Sequence, residues 1–192
     1  GGKVETSGHF LNVNAVQINT ASLFGNVGNW LLDPFHMVIN ASGPDYNSSS
    51  ASGTTTYVSS GQSVAANANS YIDQTIIENA LSNNNVTIQS DSGYDIISQG
   101  DGTINYTGST ARILTLNSGR NINIVYDSVT YPGGISGTNL SLVLQASGTV
   151  TISAAINVGG NVTINGTSFS GTGNISLGSN KALEITQSGN ST

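Results

Sequence analysis

Residues 140–186 read LSLVLQASGTVTISAAINVGGNVTINGTSFSGTGNISLGSNKALEIT. Within them "LSLVLQAS", "TVTISA", "NVTINGT", "NISLGS" and "ALEIT" alternate apolar with polar residues or form brief apolar runs, with Gly, Asn and Ser between them. Such alternation marks half-buried strands, and Gly and Asn tolerate the positive φ that tight turns require. The spacing says what the strands build. Extended upstream, apolar centres fall near Ile113, Ile122, Leu142, Ile152, Ile164, Ile175 and Ile185, with gaps of 9, 20, 10, 12, 11 and 10 residues. Neighbouring gaps repeatedly sum to ~20 residues, which suits one coil of a parallel β-helix with two or three strands per turn. A coil buries its Ile, Val and Leu stripe only by stacking on its neighbours, and stacking also aligns Asn, Ser and Thr in ladders. The expected fold is all-β: a right-handed parallel β-helix. An antiparallel β-sandwich has similar strands and turns, but the Asn-Gly hairpin signal occurs once, at Asn165-Gly166.

Upstream, "GKVETS", "FLNVNAVQINT", "HMVIN", "NVTIQS", "GTINYT", "ILTLNS" and "NINIVYD" read as further strands. Two segments interrupt them. Residues 43–71 are mostly Ser, Thr, Ala and Gly, and read as a surface insert. "SYIDQTIIENALSNN" then reads as a short helix, with a Thr75-x-x-Glu78 capping box and Ile76, Ile77, Ala80 and Leu81 on one face. A helix beside a β-helix serves to cover an edge or an open core end. The expected organisation is one structural domain: coils over 1–42, insert plus helix over 43–84, and coils over 85–192.

Composition narrows the function. Charged residues make up 7% of the 192, and 24 Asn, 28 Ser and 20 Thr imply a neutral, amide- and hydroxyl-rich surface. Four basic residues (Lys3, Arg112, Arg120, Lys181) in a chain of net charge −6 do not neutralise a phosphate backbone, so no nucleic-acid or anionic-membrane partner is expected. No apolar run reaches the ~18 residues of a membrane span. The absence of Cys excludes disulfides and thiolate chemistry, and is compatible with export through an oxidising periplasm. The sequence starts without Met or a leader, so a segment of a longer protein is expected.

The rarest residues gather in Asn29–Asn40, "NWLLDPFHMVIN", which holds the sole Trp and the sole Met. Trp30, Leu31 and Leu32 are expected to pack into the core, with Asp33-Pro34 turning the chain before the next strand. The order "GGKVETSGHFLNV", "NWLLDPFHMVIN", "QTIIENALSNNNVTIQSD" resembles the exoproteins of bacterial two-partner secretion, of the filamentous-haemagglutinin and high-molecular-weight adhesin type. The matching elements are Gly1–Leu11, Trp30–Pro34, Thr75–Leu81 and Asn85–Ile88, and they cover the first half of the chain. The resemblance implies a β-helical fibre segment of a secreted or cell-surface adhesin. It would be exported by an outer-membrane transporter partner and would bind a glycan or protein on host cells or other bacteria.

Candidate chemistry is sparse. "SDSGYDIISQGDG" brings Asp91, Asp95 and Asp101 close in sequence, a set that could bind Ca²⁺ or do acid/base work, or simply form turns. Arg112 and Arg120 are the bases available to a lyase. His9 and His36 stand apart from any metal-binding spacing, and no GxSxG occurs. No cofactor is expected. Asn40, Asn47, Asn85, Asn105, Asn139, Asn161, Asn165, Asn174 and Asn190 occupy N-x-[S/T] sequons and are candidates for glycosylation. The leading expectation is an adhesive module that is not an enzyme. The alternatives are a carbohydrate-active β-helix enzyme and a passive shaft segment of a toxin-delivery exoprotein.

Overall fold

The computed structural model describes residues 1–9, 11, 13, 16–41, 70–130 and 132–189. The chain passes through β1 (Lys3–Gly8), β2 (Asn29–Pro34), β3 (Met37–Asn40), β4 (Ser70–Asp73) and the helix α1 (Gln74–Leu81). Three-strand coils follow: β5 (Asn85–Gln89), β6 (Ile96–Ser98) and β7 (Ile104–Asn105), then β8 (Arg112–Ser118), β9 (Ile122–Ile124) and β10 (Ile135–Gly137). The next are β11 (Leu140–Ala146), β12 (Thr149–Ile152) and β13 (Ile156–Val158), then β14 (Val162–Gly166), β15 (Ser168–Ser170) and β16 (Ile175–Leu177), with β17 (Leu183–Gln187) beginning another. Among the described residues the strands form three parallel sheets, ordered β1-β2-β5-β8-β11-β14-β17, β4-β3-β6-β9-β12-β15 and β7-β10-β13-β16. This is the right-handed parallel β-helix the spacing calls for, and a sandwich is excluded by the parallel pairing.

Coil length departs from the expected ~20 residues between β5 and β11. Val86, Leu114 and Leu142 are register partners 28 residues apart, whereas Leu142, Val162 and Leu183 are 20 and 21 apart. Longer corners account for the difference: residues 125–134 separate β9 from β10, where residues 153–155 suffice between β12 and β13. Four three-residue strands (β6, β10, β13, β15) fall outside the segments that alternation marks.

The core is built of columns. In the first sheet Trp30, Val86, Leu114, Leu142 and Val162 stack inward beside Leu32, Ile88, Leu116, Leu144 and Ile164, none more than 1% exposed. The second sheet adds Met37, Ile96, Ile122 and Val150, and the third Ile104, Ile135 and Ile156. Each buried Leu, Ile or Val contributes ~1.5–3 kcal/mol, against ~0.5–1.5 for a typical hydrogen bond, so these columns dominate the stability. Ile113, read as an apolar centre, faces outward at 42% exposure, and its neighbour Leu114 takes the inward place.

The N-terminal region holds four further differences. β2 continues through Asp33 and Pro34, and the bend falls at Phe35-His36. Pro34 pairs with Gly8 of β1, beyond the last β2–β5 pair (Leu32 with Ile88), so its missing N–H breaks no ladder on that side. Leu31, although nearly buried, lies outside the main core cluster, because alternation turns it to the opposite face of β2 from Trp30 and Leu32. The described residues of "FLNVNAVQINT" form no strand; Leu11 and Val13 join the core. Ser70–Asp73, read as part of the helix segment, pairs with β3 as a strand, and the helix cap falls at Asp73, two residues before the expected Thr75. Of the insert, residues 43–69 lie outside the described residues.

Eight residues of helix are marginal alone, so α1 depends on its contacts. Asp73 caps it, accepting from Thr75 N at 2.7 Å and Thr75 Oγ1 at 2.6 Å. Glu78, the expected capping-box partner, instead accepts from Asn105 N of β7 at 2.6 Å, capping the edge of the third sheet. Ile77, Ala80 and Leu81 cover the core. At the C-terminal end of the helix the buried Arg112 donates from Nε to Leu81 O (2.7 Å) and from Nη2 to Ser82 O (2.9 Å). Among the described residues no helix is long and apolar enough to cross a membrane.

Candidate functional site

Two regions carry polar groups in organised form: the corner between the first and second sheets, and the outer face of the third sheet. At the corner, Asp95 accepts from Arg120 Nε (2.7 Å), Arg120 Nη2 (2.6 Å) and Asn121 N (3.0 Å). Burial pushes its carboxyl up, but the Arg120 and Asn121 hydrogen bonds, with the Arg120 and His36 charges, outweigh it and hold the group below the usual carboxylate range. His36 is pushed down by burial, and its Nε2 has no hydrogen-bond partner among the described residues. Asp33 is pushed up by burial and by the nearby Asp91 charge, against a hydrogen bond from Gln89. Below this corner Ser90 and Ser118 face each other at 3.2 Å and both donate to Tyr94 O at 2.9 Å.

The three aspartates read from sequence do not converge. Asp91 and Asp95 flank one turn, and β6 intervenes before Asp101, which sits at the next corner in the Gln99–Gly102 turn. Among the described residues no three His, Cys, Asp or Glu side chains could hold a metal ion. A hollow of about 280 Å³ beside Asp91 presents that one carboxylate among Gln89, Asn117 and Ser147. Of the two arginines, Arg112 holds the helix end and Arg120 holds Asp95. His9 stacks edge-on against Phe35, with ring centroids 3.7 Å apart.

The third sheet presents Asn105, Ser136, Asn157 and Ser176 outward in one register row. Beside them Gly159 and Gly178 follow the strands. A Cβ on Gly159 would strike the Thr138 carbonyl, and one on Gly178 the Gly159 carbonyl, so close coil stacking requires glycine at both. The row and the bare glycines form an open groove of about 530 Å³ lined by uncharged residues. A second hollow, about 640 Å³, lies between residues 16–19 and α1. The groove was missed from sequence, yet a signal exists: Ile-Asn or Ile-Ser recurs at 104, 135, 156 and 175.

The sequons differ in accessibility. Asn105, Asn161 and Asn174 are exposed, whereas Asn40 is 2% exposed. Asn85, Asn139 and Asn165 are half-buried; Asn85 Oδ1 accepts from Ile113 N, and Asn139 Nδ2 donates to Gly108 O. Asn47 and Asn190 lie outside the described residues. No family model matches the chain, and no curated protein or solved structure matches it. What the chain's own residues establish is a β-helical shaft, a parallel stack of coils with a helix packed at its N-terminal end.

Proposed function

We propose that this chain is a shaft segment of a large bacterial adhesin, secreted or held at the cell surface, that acts by display and binding and not by catalysis. The observation that carries the reading is the outer face of the third sheet: uncharged amides and hydroxyls in register from coil to coil. Uncharged polar groups repeated along a rod suit many weak contacts that add through avidity. The resemblance of Gly1–Leu11 and Trp30–Pro34 to two-partner secretion exoproteins supports the same reading. It supplies the outer-membrane transporter as the export partner and a host-cell or bacterial surface as the target. The engagement of Asp95 with Arg120, and the separation of Asp101 from both other aspartates, favour structural roles for these groups over acid/base work.

Beads coated densely with the folded chain should capture epithelial or bacterial cells, and beads coated with the heat-denatured chain should not. Equal capture by both would contradict the reading. Release of reducing or unsaturated sugar ends from polysaccharides, abolished by Asp95→Asn, would replace it with the enzyme.

A further inference from the structure

The groove of the third sheet has a chemistry that selects its occupant. We infer that it binds an uncharged, extended glycan chain lying along the helix axis, an inference that rests on the adhesive reading and names its ligand class. Four observations converge. Asn105, Ser136, Asn157 and Ser176 repeat at the inter-strand distance, ~4.8 Å, close to the rise of one sugar residue in an extended chain. Each coil therefore meets a new sugar with an uncharged polar group, amide and hydroxyl in alternation. No charged residue lines the groove, so nothing there compensates the desolvation of a carboxylate or sulfate. Gly159 and Gly178 leave the backbone bare beside the row, where a ring can approach closely.

The fourth observation concerns which side chains are uncommitted. Among the described residues, some outward groups on the other two sheets bond to one another: Asn29 with Thr87, Asn117 with Gln89, Thr149 with Ser168, and Thr151 with Ser170. On the third sheet Ser136 Oγ pairs with Asn105 Oδ1 at 3.0 Å, while among the described residues the outward-facing Asn157 and Ser176 side chains make no such pair. A peptide strand would add to an edge of this sheet, at β7 or β16, through its backbone, whereas the row lies across the outer face.

The test is a titration of the isotope-labelled chain with cellohexaose, chitohexaose and maltohexaose, with a hyaluronan hexasaccharide as the charged control. Amide shifts are mapped in the wild type and in the Asn157→Ala/Ser176→Ala double variant. We expect shifts confined to the third sheet with at least one neutral hexasaccharide. The double variant should bind it about tenfold more weakly, the effect of losing two hydrogen bonds, with an unchanged melting temperature because neither side chain supports the fold. Three outcomes overturn the inference: no shift with any neutral hexasaccharide, shifts mapping elsewhere, or equal affinity for the hyaluronan fragment. Bead capture separates this result from the adhesive reading. Capture without glycan binding sinks the glycan groove alone, and absence of capture by the wild type sinks adhesion whatever the titration shows.

Discussion

Trp30 stacks between Val4 of β1 and Val86 of β5 in the first-sheet column, fully buried, with its indole N–H donating to Thr6 Oγ1 at 3.1 Å. Trp30→Ala removes a large side chain from under Val86 and should cost ~3–5 kcal/mol, a fall of roughly 6–20 °C in melting temperature for a chain of this size. Scanning calorimetry checks it; an unchanged transition would mean that Trp30 is not in the core. His36 sets a pH dependence of definite sign. Burial holds its folded pKa below the ordinary 6.5, so the unfolded chain takes up the proton first. Its contribution is complete above pH 6.5 and is lost as pH falls from there toward the folded value. Asp95 acts further down: its folded pKa lies below 3.8, so its contribution is present above 3.8 and lost as pH falls through the folded value. His36→Gln should flatten the decline in the urea midpoint between about pH 7 and 5.5, the range around the ordinary imidazole pKa. A wild-type midpoint already flat there would show a solvated imidazole.

At the scale of the element, α1 is held by a residue 31 positions from the carbonyl it meets, Arg112 on Leu81. The guanidinium satisfies carbonyls left open by the helix end and places its charge at the negative end of the dipole. Arg112→Met strands the Leu81 and Ser82 carbonyls and should cost about 2–4 kcal/mol. Arg112→Lys should recover little of this, because an ammonium lacks the fork that reaches both. Urea unfolding measures both variants, and full recovery by Lys would show that charge alone suffices. This contact was not legible in the sequence, since nothing local links Arg112 to Leu81. Asn84 is similar. Asn83 to Asn85 read only as a helix stop, yet Asn84 accepts from Thr20 N and Oγ1 and donates to Ile18 O and Ala80 O. Such a clamp depends on a partner segment that periodicity cannot place.

For the whole molecule, what could be read followed the length of the signal. The β11-to-β17 coils repeat at 20 and 21 residues with strands of four or more on the first sheet, so the stack was visible. The 28-residue coils before them hide the period inside long corners. The third-sheet row was obscured for the same reason: its Ile-Asn and Ile-Ser pairs recur at gaps of 31, 21 and 19. On β17, the edge strand of the first sheet among the described residues, Leu183 and Ile185 are 44% and 41% exposed.

Stacking in parallel register is the claim on which the shaft, the groove and the display of repeated groups all depend. The absence of Cys allows nitroxide labels to be placed at will. Thr87, Thr115, Val143 and Thr163 form one outward row on successive coils. Labels at Thr115 and Val143 should broaden each other strongly in continuous-wave spectra, since adjacent strands lie ~4.8 Å apart. Labels at Thr87 and Thr163, three strands apart, should sit at backbone positions about 14 Å apart. Unbroadened Thr115–Val143 spectra, or a Thr87–Thr163 distance too long for three ladder steps, would contradict the β-helix itself.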